Sequence, residues 1–362
     1  MKAFLILLCL FSVGFVIAPQ GQIRTDKLDS LFEELHQRQA FNGNVIVARS
    51  GEILYQRSFG YADATQQQTL NDSSVFELAS VSKQFTAMGI MLLEARDLLD
   101  YDDFVSDYIE DFPYPSVTIR YLLQQRSGIP DYLAYGEAHW DPEKIGSNAD
   151  VIAYYQTEQP ALSFPAGSQF QYANINYVLL AEIIKIISHA SYQDFLHEYI
   201  FEPLQMTQTR SYTTRWAEGE MLENYAMPMA YDVSSNSYRE AWGGTEYPLV
   251  AAASGIEGDG SIVSSGPDLV RWEQALRENT LLSADQMAVA YTPAVLPDGS
   301  RSEYGFGIYL DPKRNKAWHW GGWAGVQTSF VRYLDSETVA IYLKNVENHD
   351  WSWLGRFEKL VR

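Results

Sequence analysis

The sequence predicts an α+β protein, and three observations lead to this prediction. The segment NVIVARSGEILYQRSFGYAD, near the start, is typical of a β-hairpin. Strand-like segments return between about residues 304 and 345. The long middle, about residues 80–250, has mostly helical patterns separated by loops that contain Gly and Pro. We therefore predict one antiparallel sheet built from both chain ends and flanked by helices, with a largely helical insertion.

The N-terminal elements are a helix and the hairpin. TDKLDSLFEELHQRQ predicts an amphipathic helix that begins near Thr25 or Asp26. The hairpin strands are Val45–Ala48 and Ile53–Phe59, and Ser50-Gly51 supplies the turn.

The remaining elements follow the same patterns. YVLLAEIIKIISHASYQDFLHEYIFEPL predicts two further helices in the middle. A meander with the turn DSE, followed by the closing helix WSWLGRFEKLVR, is predicted from four strand-like segments: YGFGIYL, KAWHWGGWAG, VQTSFVRYL and TVAIYLKN.

The first residues, MKAFLILLCLFSVGFVIAPQGQ, have the pattern of a signal peptide, with small residues at Val16 and Ala18 after an apolar run. We predict that residues 1–21 are removed and that residues 22–362 form one exported domain, periplasmic or secreted, without a stable membrane span. An uncleaved anchor is the alternative. The only cysteine, Cys9, lies in this leader, so the mature chain has no disulfide, thiolate nucleophile or Cys-ligated metal.

Composition and missing motifs exclude other function classes. The formal net charge is −20 and no basic block occurs, so nucleic acid and anionic membranes are unsuitable partners. The sequence has no G-x-S-x-G or H-E-x-x-H motif. GIEGDGSIVSSG lacks the strand–loop–helix context and the lysine of a phosphate-binding loop. The acidic run RDLLDYDDFVSDYIEDF is interpreted as a solvated helix end and loop.

The segment FELASVSKQFTAMGIMLLEA places a lysine near the start of an apolar helix. Of the nine lysines, only Lys83 has a serine three residues before it. Ser80 and Lys83 would share one helix face, while Ser82 points elsewhere. Burial lowers the pKa of a lysine, and a neutral amine can activate a serine hydroxyl for attack on a carbonyl. The alternative is a packed stem whose amine reaches solvent.

Two further motifs carry groups suited to acyl chemistry. Tyr172-Ala173-Asn174 is the only Y-x-N, and its side chains can relay a proton and bind an amide. His319-Trp320-Gly321 is the only H-x-G; it lies on a predicted strand, where glycine lets a ligand approach the backbone. The N–H of Gly322 could pair with that of Ser80 as an oxyanion hole. The alternatives are a buried tyrosine with a capping asparagine, and a strand histidine among aromatic residues.

The three motifs occur in the order S-x-x-K, Y-x-N and H-x-G, separated by 92 and 147 residues. In this the chain resembles the penicillin-recognising serine hydrolases, specifically the class C β-lactamase-like group, which includes AmpC-type β-lactamases, D-Ala-D-Ala carboxypeptidases, D-aminopeptidases and esterases. The segments YLLQQRSGIPDY, EPLQMTQT and YGFGIYL add to the resemblance, which spans about Phe41 to Asn345. It implies a β-lactamase/transpeptidase-like fold.

The resemblance also implies residue roles and a reaction that needs no cofactor or metal. Ser80 is the acylated nucleophile of an amide or ester hydrolase, and Lys83 and Tyr172 share the general-base role. The implied substrate-binding residues are Asn174, His319, Gly321 and Gly322.

The sequence departs from the family pattern at two positions, one in a loop and one that bears on the substrate class. Members often have a histidine at the position of Gln125, which we interpret as a change in loop packing. His319 stands where true β-lactamases usually carry a lysine that pairs with the substrate carboxylate. The side chains of Trp318 and Trp320 should face away from His319; at least one of the nearby tryptophans should be core, and Trp323 could shape an apolar pocket.

The alternatives are a true class C-type β-lactamase or D-Ala-D-Ala carboxypeptidase. A non-catalytic module that binds penicillin or peptidoglycan peptides is an alternative of another class. The expected partner is a small or peptide acyl substrate, with cell-wall fragments as one source.

Overall fold

The fold is described from a computed structural model, which covers residues 23–141, 144–213, 222–232, 234–235, 237–241, 249–347 and 350–362. The predicted signal peptide lies outside the described residues. Within these ranges, every helix is too short or too polar to span a bilayer.

Along the described chain, an α-helix and three strands come first, six α-helices follow in succession, and strands and helices are mixed after that. The α-helices are α1 Thr25–Gln37, α2 Lys83–Glu94, α3 Ile119–Leu123, α4 Tyr132–His139, α5 Asn148–Glu158, α6 Ile175–Ser188, α7 Tyr192–Leu196, α8 Leu249–Ala253, α9 Gly266–Glu278, α10 Ala284–Ala290 and α11 Leu354–Val361. The strands are β1 Gly43–Arg49, β2 Glu52–Phe59, β3 Val75–Glu77, β4 Arg210–Ser211, β5 Met229–Asp232, β6 Ser237–Glu240, β7 Ile262–Ser265, β8 Tyr309–Asp311, β9 Lys316–Trp323, β10 Val326–Tyr333, β11 Thr338–Lys344 and β12 Val346–Glu347.

The main sheet joins the two ends of the chain, which confirms the α+β prediction. Its six strands lie in the order β2-β1-β11-β10-β9-β8, and all neighbours are antiparallel. The hairpin turn also matches, because Ser50 (φ 49°) and Gly51 (φ 84°) both adopt the left-handed conformation that a tight two-residue turn requires.

The sheet divides the core into two layers. Alternate residues of β1 point to opposite faces: Ile46 joins the large cluster that includes α2, α6 and α9, whereas Val45 packs with α1 and α11. We call these the inner and outer faces of the sheet. The active-site motifs lie on the inner side, where helices cover the sheet.

One predicted strand, YGFGIYL, is much shorter in the structure than the sequence pattern indicates. YGFGIYL becomes a loop before the short strand β8. Gly307 has φ +71°, and a Cβ on it would lie 2.7 Å from the carbonyl oxygen of Lys83. The segment therefore packs against the start of α2 instead of extending the meander.

Candidate active site

The S-x-x-K segment bridges a 3₁₀ turn and a helix. Ser80 lies in the turn Ala79–Ser82, and Lys83 opens α2. The expectation of one continuous helix is thus corrected, but residues three apart in a 3₁₀ turn are eclipsed, so both side chains still share a face. Ser82 faces away as predicted, since its Oγ accepts a hydrogen bond from the N–H of Ile262 (3.2 Å).

Strands β9 and β10 hold this turn in place. The Thr328 hydroxyl donates to the Leu78 carbonyl (2.7 Å) just before the turn. A Cβ on Gly321 would lie 2.2 Å from the same carbonyl oxygen, so only glycine permits this approach. Ala79 is left-handed (φ 47°), a conformation that is costly for an alanine. The nucleophile candidate therefore stands on a strained turn that is fastened to the sheet.

Lys83 is completely buried. Its Nζ donates to the Ser80 Oγ (3.1 Å), the Asn174 Oδ1 (2.8 Å) and the Asp259 carbonyl oxygen (2.7 Å). These contacts exclude an amine that reaches solvent. Burial lowers the pKa of Lys83 to about 8, although the carboxylates of Asp259 and Asp131 oppose this change. A neutral amine is therefore accessible near physiological pH.

Asn174 ends the loop before α6 and points at Lys83. Its backbone N–H and its Nδ2 both donate to the Asp131 Oδ2, at 2.8 and 3.0 Å. This pair of bonds orients the amide so that its Oδ1 faces the Lys83 ammonium. The sequence analysis did not predict a role for Asp131. The segment that contains it, SGIPDY, only contributes to the resemblance to the family.

Gln125 supports the same loop. Its Oε1 accepts hydrogen bonds from the Ala173 N–H (3.0 Å) and the Asn176 Nδ2 (2.5 Å), and its side chain is fully buried. The interpretation of this position as loop packing agrees with these bonds. The loop in question is the one that carries the Y-x-N motif.

Tyr172 lies next to both Lys83 and Ser80. The Lys83 Nζ is 5.0 Å from the centre of its ring. Its hydroxyl is buried and makes no hydrogen bond with any described residue. Burial raises the pKa of Tyr172 well above the usual 10, although the nearby Ser80 hydroxyl opposes this change. The side chain is therefore a neutral phenol at physiological pH.

The side chain of His319 lies behind the site rather than on its wall. It is 1% exposed. Its Nδ1 must donate to the Trp320 carbonyl (2.7 Å), so its Nε2 accepts from the Tyr304 hydroxyl (3.0 Å). Burial and the charge of Lys83 lower the pKa of His319 to about 3. His319 is thus neutral, and the expectation that it lines the pocket does not match this structure.

A cavity of about 90 Å³ opens beside Ser80. Its lining residues are Glu77, Ala79, Ser80, Tyr132, Leu133, Asn174, Ala253, Ile256, Asp259, Gly260, Ser261, Gly322 and Trp323. Of the predicted substrate-binding residues, Asn174 and Gly322 lie on this wall, whereas His319 and Gly321 are buried beneath it. Gly322 is exposed, and a Cβ added to it would meet nothing within 4 Å.

Asp259 is the second residue that the sequence did not reveal. Besides its backbone bond to Lys83, its Oδ2 accepts from the Tyr132 hydroxyl (2.8 Å). Burial raises the pKa of Asp259 to about 6, although Lys83 and Tyr132 lower it. The sequence of the segment around it, GIEGDGSIVSSG, indicates only a glycine-rich stretch that lacks the context of a phosphate-binding loop. In the structure it is a wall of the cavity.

The tryptophans behave partly as expected. Trp318 and Trp320 lie on the face of β9 opposite His319, with ring centres 6.4 Å apart. The prediction that at least one tryptophan here is core is wrong, because Trp320 is 52% exposed and Trp318 and Trp323 are half-buried. Trp323 lines the cavity.

The acidic run RDLLDYDDFVSDYIEDF, residues 96–112, lies apart from this set of tryptophans in the sequence. Most of its carboxylates are exposed, as predicted.

Comparisons with known proteins agree with this arrangement. The profile of the family described as "Beta-lactamase" matches residues 28–358. Penicillin-binding protein 4* of Bacillus subtilis (strain 168) is 41% identical over 329 residues, covering 90% of this chain and 73% of that protein.

Solved structures share the fold. A penicillin-binding protein from Bacillus halodurans superposes with a TM-score of 0.78 at 22% identity, covering 92% of this chain and 98% of that one. The D-amino acid amidase from Ochrobactrum anthropi SV3, complexed with D-phenylalanine, gives 0.71 at 21% identity, covering 92% and 97%.

Proposed function

Because the chain belongs to the Beta-lactamase family and is a serine hydrolase of the β-lactamase and penicillin-binding protein superfamily, we propose that it cleaves an amide or ester through a covalent acyl-enzyme on Ser80. One observation supports this most strongly. The Nζ of the buried Lys83 lies 3.1 Å from the Ser80 Oγ, beside a cavity that Ser80 lines. This is the geometry of a hydroxyl nucleophile with its base.

In the first step, the neutral Lys83 amine takes the Ser80 proton as the Oγ bonds to the substrate carbonyl carbon. The carbonyl π electrons move to the oxygen, which becomes an oxyanion. Ser80 and Gly322 both line the cavity, and we assign their backbone N–H groups to this oxyanion. Such preorganised donors contribute most where water is excluded.

In the second step, the tetrahedral intermediate collapses and the bond to the leaving group breaks. Tyr172, a neutral phenol next to Ser80, is suited to donate a proton to the departing amine or alkoxide. Lys83, now an ammonium, returns a proton to the phenolate. Water then attacks the acyl-enzyme with the neutral Lys83 amine as base, and Ser80 regains its proton. The shared base role thus divides into a Lys83 base and a Tyr172 proton relay.

Asn174 contributes to both the base and the substrate site. Its Oδ1 is bound to Lys83, and one Nδ2 proton to Asp131. The second Nδ2 proton remains for a substrate carbonyl, and Asn174 lines the cavity.

The substrates we favour are esters and amino-acid amides or peptides over β-lactams. A β-lactam carries a carboxylate, and the neutral His319 offers it no charge partner. A fold neighbour, the D-amino acid amidase, is complexed with D-phenylalanine, which suggests amides of D-amino acids for the first screen. A true β-lactamase is the second candidate, and rapid nitrocefin turnover would favour it.

The proposal is tested by labelling with a fluorophosphonate and measuring intact mass. The wild type should gain one adduct on Ser80 and hydrolyse p-nitrophenyl esters, and the Ser80→Ala variant should do neither. Ser82→Ala, which changes a neighbouring serine that faces away, is the matched control and should keep the adduct. Full labelling of Ser80→Ala would refute the assignment.

We also propose that the protein is exported, from the leader pattern described above. Expression of the full chain with fractionation and N-terminal sequencing tests this. A mature N-terminus near residue 22 outside the cytoplasm is expected, whereas an intact leader on a cytoplasmic protein would contradict it.

A further inference from the structure

The cavity wall beside Ser80 carries negative charge. Two carboxylate side chains, Glu77 and Asp259, line it. Among the described residues that line it, none is a lysine or arginine. Among the described residues, Lys83 is the cation that is hydrogen-bonded to Ser80, and it is buried behind Ser80 instead of lining the cavity.

The carboxylate of Asp259 has a fixed position. The Tyr132 hydroxyl donates to its Oδ2 (2.8 Å), and the Asp259 backbone carbonyl accepts from Lys83 (2.7 Å). Gly258, just before it, is anchored because its carbonyl accepts from the Thr86 hydroxyl (2.6 Å). A Cβ on Gly258, whose φ is +102°, would lie 2.2 Å from the Tyr177 carbonyl oxygen. The loop is therefore held tightly against α2 and α6, which presents the Asp259 side chain at a defined place on the wall.

Two aromatic side chains on the same wall suit a cation as well. Tyr132 and Trp323 line the cavity with the carboxylates. Aromatic faces attract ammonium groups, and the attraction grows when water is excluded. A carboxylate of a substrate would instead meet like charges, which costs free energy.

The Tyr172 hydroxyl is a further polar group next to the reacting atoms. It is buried beside the Ser80 hydroxyl and makes no hydrogen bond of normal geometry with a described residue. A buried polar group without a partner is unfavourable. A substrate whose leaving group accepts a proton here would complete the hydrogen bonding of the site.

We propose that Asp259 is a specificity-determining residue that selects acyl substrates with a positive charge near the scissile carbonyl, such as aminoacyl amides or esters with a free ammonium group. The inference rests on the proposed function. Substrates with a carboxylate at the same place are disfavoured.

The test uses three D-alanine p-nitroanilides that share the leaving group and carry a positive, a neutral or a negative group at the amino nitrogen: the free ammonium form, the N-acetyl form and the N-succinyl form. The kcat/KM of the wild type should fall in this order. In Asp259→Asn the ratio of the ammonium to the acetyl probe should drop about tenfold, as expected for losing one partly solvated charge pair. The ratio cancels any loss of activity that both probes share, including effects that act through Lys83.

Glu257→Gln is the matched control. Glu257 lies two residues earlier in the same segment, and its carboxylate accepts from the Ser211 hydroxyl (3.2 Å) without lining the cavity. Glu257→Gln removes one negative charge, as Asp259→Asn does. The ratio of kcat/KM for the ammonium probe to kcat/KM for the acetyl probe should nevertheless change less than in Asp259→Asn. Equal changes in the two variants would show that only overall charge matters and would overturn the role of Asp259.

A second readout does not require turnover. The corresponding D-alanine amides should slow fluorophosphonate labelling of Ser80 in the order ammonium, acetyl, succinyl. Equal protection, or best protection by the succinyl form, would overturn the inference even if Asp259→Asn does not fold. Absence of any Ser80 adduct on the wild type would instead refute the proposed function.

Discussion

Two of the lysines that the structure describes are buried in different surroundings: Lys83 behind the cavity and Lys344 in strand β11. Both are at most 1% exposed. Burial lowers the pKa of Lys83 to about 8 and that of Lys344 to about 7. Lys344 shares the outer face of the sheet with Tyr342, whereas Lys83 lies on the inner side.

The two lysines differ in their hydrogen-bond partners. The Lys344 Nζ donates to the amide oxygen of Gln327 (2.7 Å), which cannot act as a nucleophile. The Lys83 Nζ contacts the Ser80 hydroxyl on the wall of a cavity. A lowered pKa is therefore not sufficient to identify a general base, since structural groups show it too. The neighbouring nucleophile and the access of substrate make the difference.

The largest expected effect comes from removing each lysine in turn. Lys83→Met should lower kcat/KM for ester hydrolysis by about 10²–10⁴-fold, the usual contribution of a general base. Lys344→Met removes a similar buried amine and should leave kcat/KM unchanged. Steady-state kinetics on both variants, with circular dichroism to confirm folding, measures this. Comparable losses of kcat/KM in both variants would show that Lys83 does not differ from Lys344 in acting as a general base.

The pH dependence sharpens the same contrast. A lysine acts as a base only when neutral, so kcat/KM should rise with pH through about 8, the pKa of Lys83. Lys344→Met should show the same inflection, because Lys344 does not take part. A pH–rate profile and NMR titration of the lysine amines provide the measurement. A Lys83 amine that titrates near the ordinary value of about 10.4 would transfer the base role to Tyr172.

Removing the Asp131 carboxylate is expected to lower kcat/KM less than removing Lys83, and also to shift the pH dependence of kcat/KM. Its carboxylate orients Asn174 through two hydrogen bonds and favours the charged form of Lys83. Asp131→Asn should lower kcat/KM about tenfold, as expected when a charge-assisted hydrogen bond is lost. It should also move the inflection to lower pH, because one carboxylate no longer stabilises the ammonium. A loss of rate with an unmoved inflection would leave Asp131 a purely structural residue.

The sequence predicted those parts of the site that depend on local spacing. Ser80 and Lys83 are three residues apart, and Tyr172 and Asn174 are adjacent to a helix start, so their patterns are visible without a fold. Lys83 and Asp259 are 176 positions apart in the sequence, and only tertiary packing creates their contact. Asp131 meets Asn174 across 43 residues in the same way.

The histidine shows a second limit of the sequence. Alternation along β9 correctly places His319 opposite Trp318 and Trp320. Alternation does not say what covers each face. Here Tyr304 packs over His319, and its hydroxyl donates a hydrogen bond to the His319 Nε2. The residue that resembles a substrate-binding group therefore lies beneath the cavity wall.

The smallest effect concerns the loop that brings Asn174 to Lys83. Gln125→Ala removes one acceptor from two buried donors, the Ala173 N–H and the Asn176 amide. Unpaired buried donors cost about 1–3 kcal/mol each, so losing the acceptor of both should lower the free energy of unfolding by about 2–6 kcal/mol. Gln84→Ala is a matched control: Gln84 is also buried, but its Oε1 accepts only a longer bond from Trp272 (3.4 Å). Urea unfolding of both variants decides the matter. A loss in Gln125→Ala no larger than in Gln84→Ala would mean that the Y-x-N loop holds its position without Gln125, and Asp131 would then be its main support.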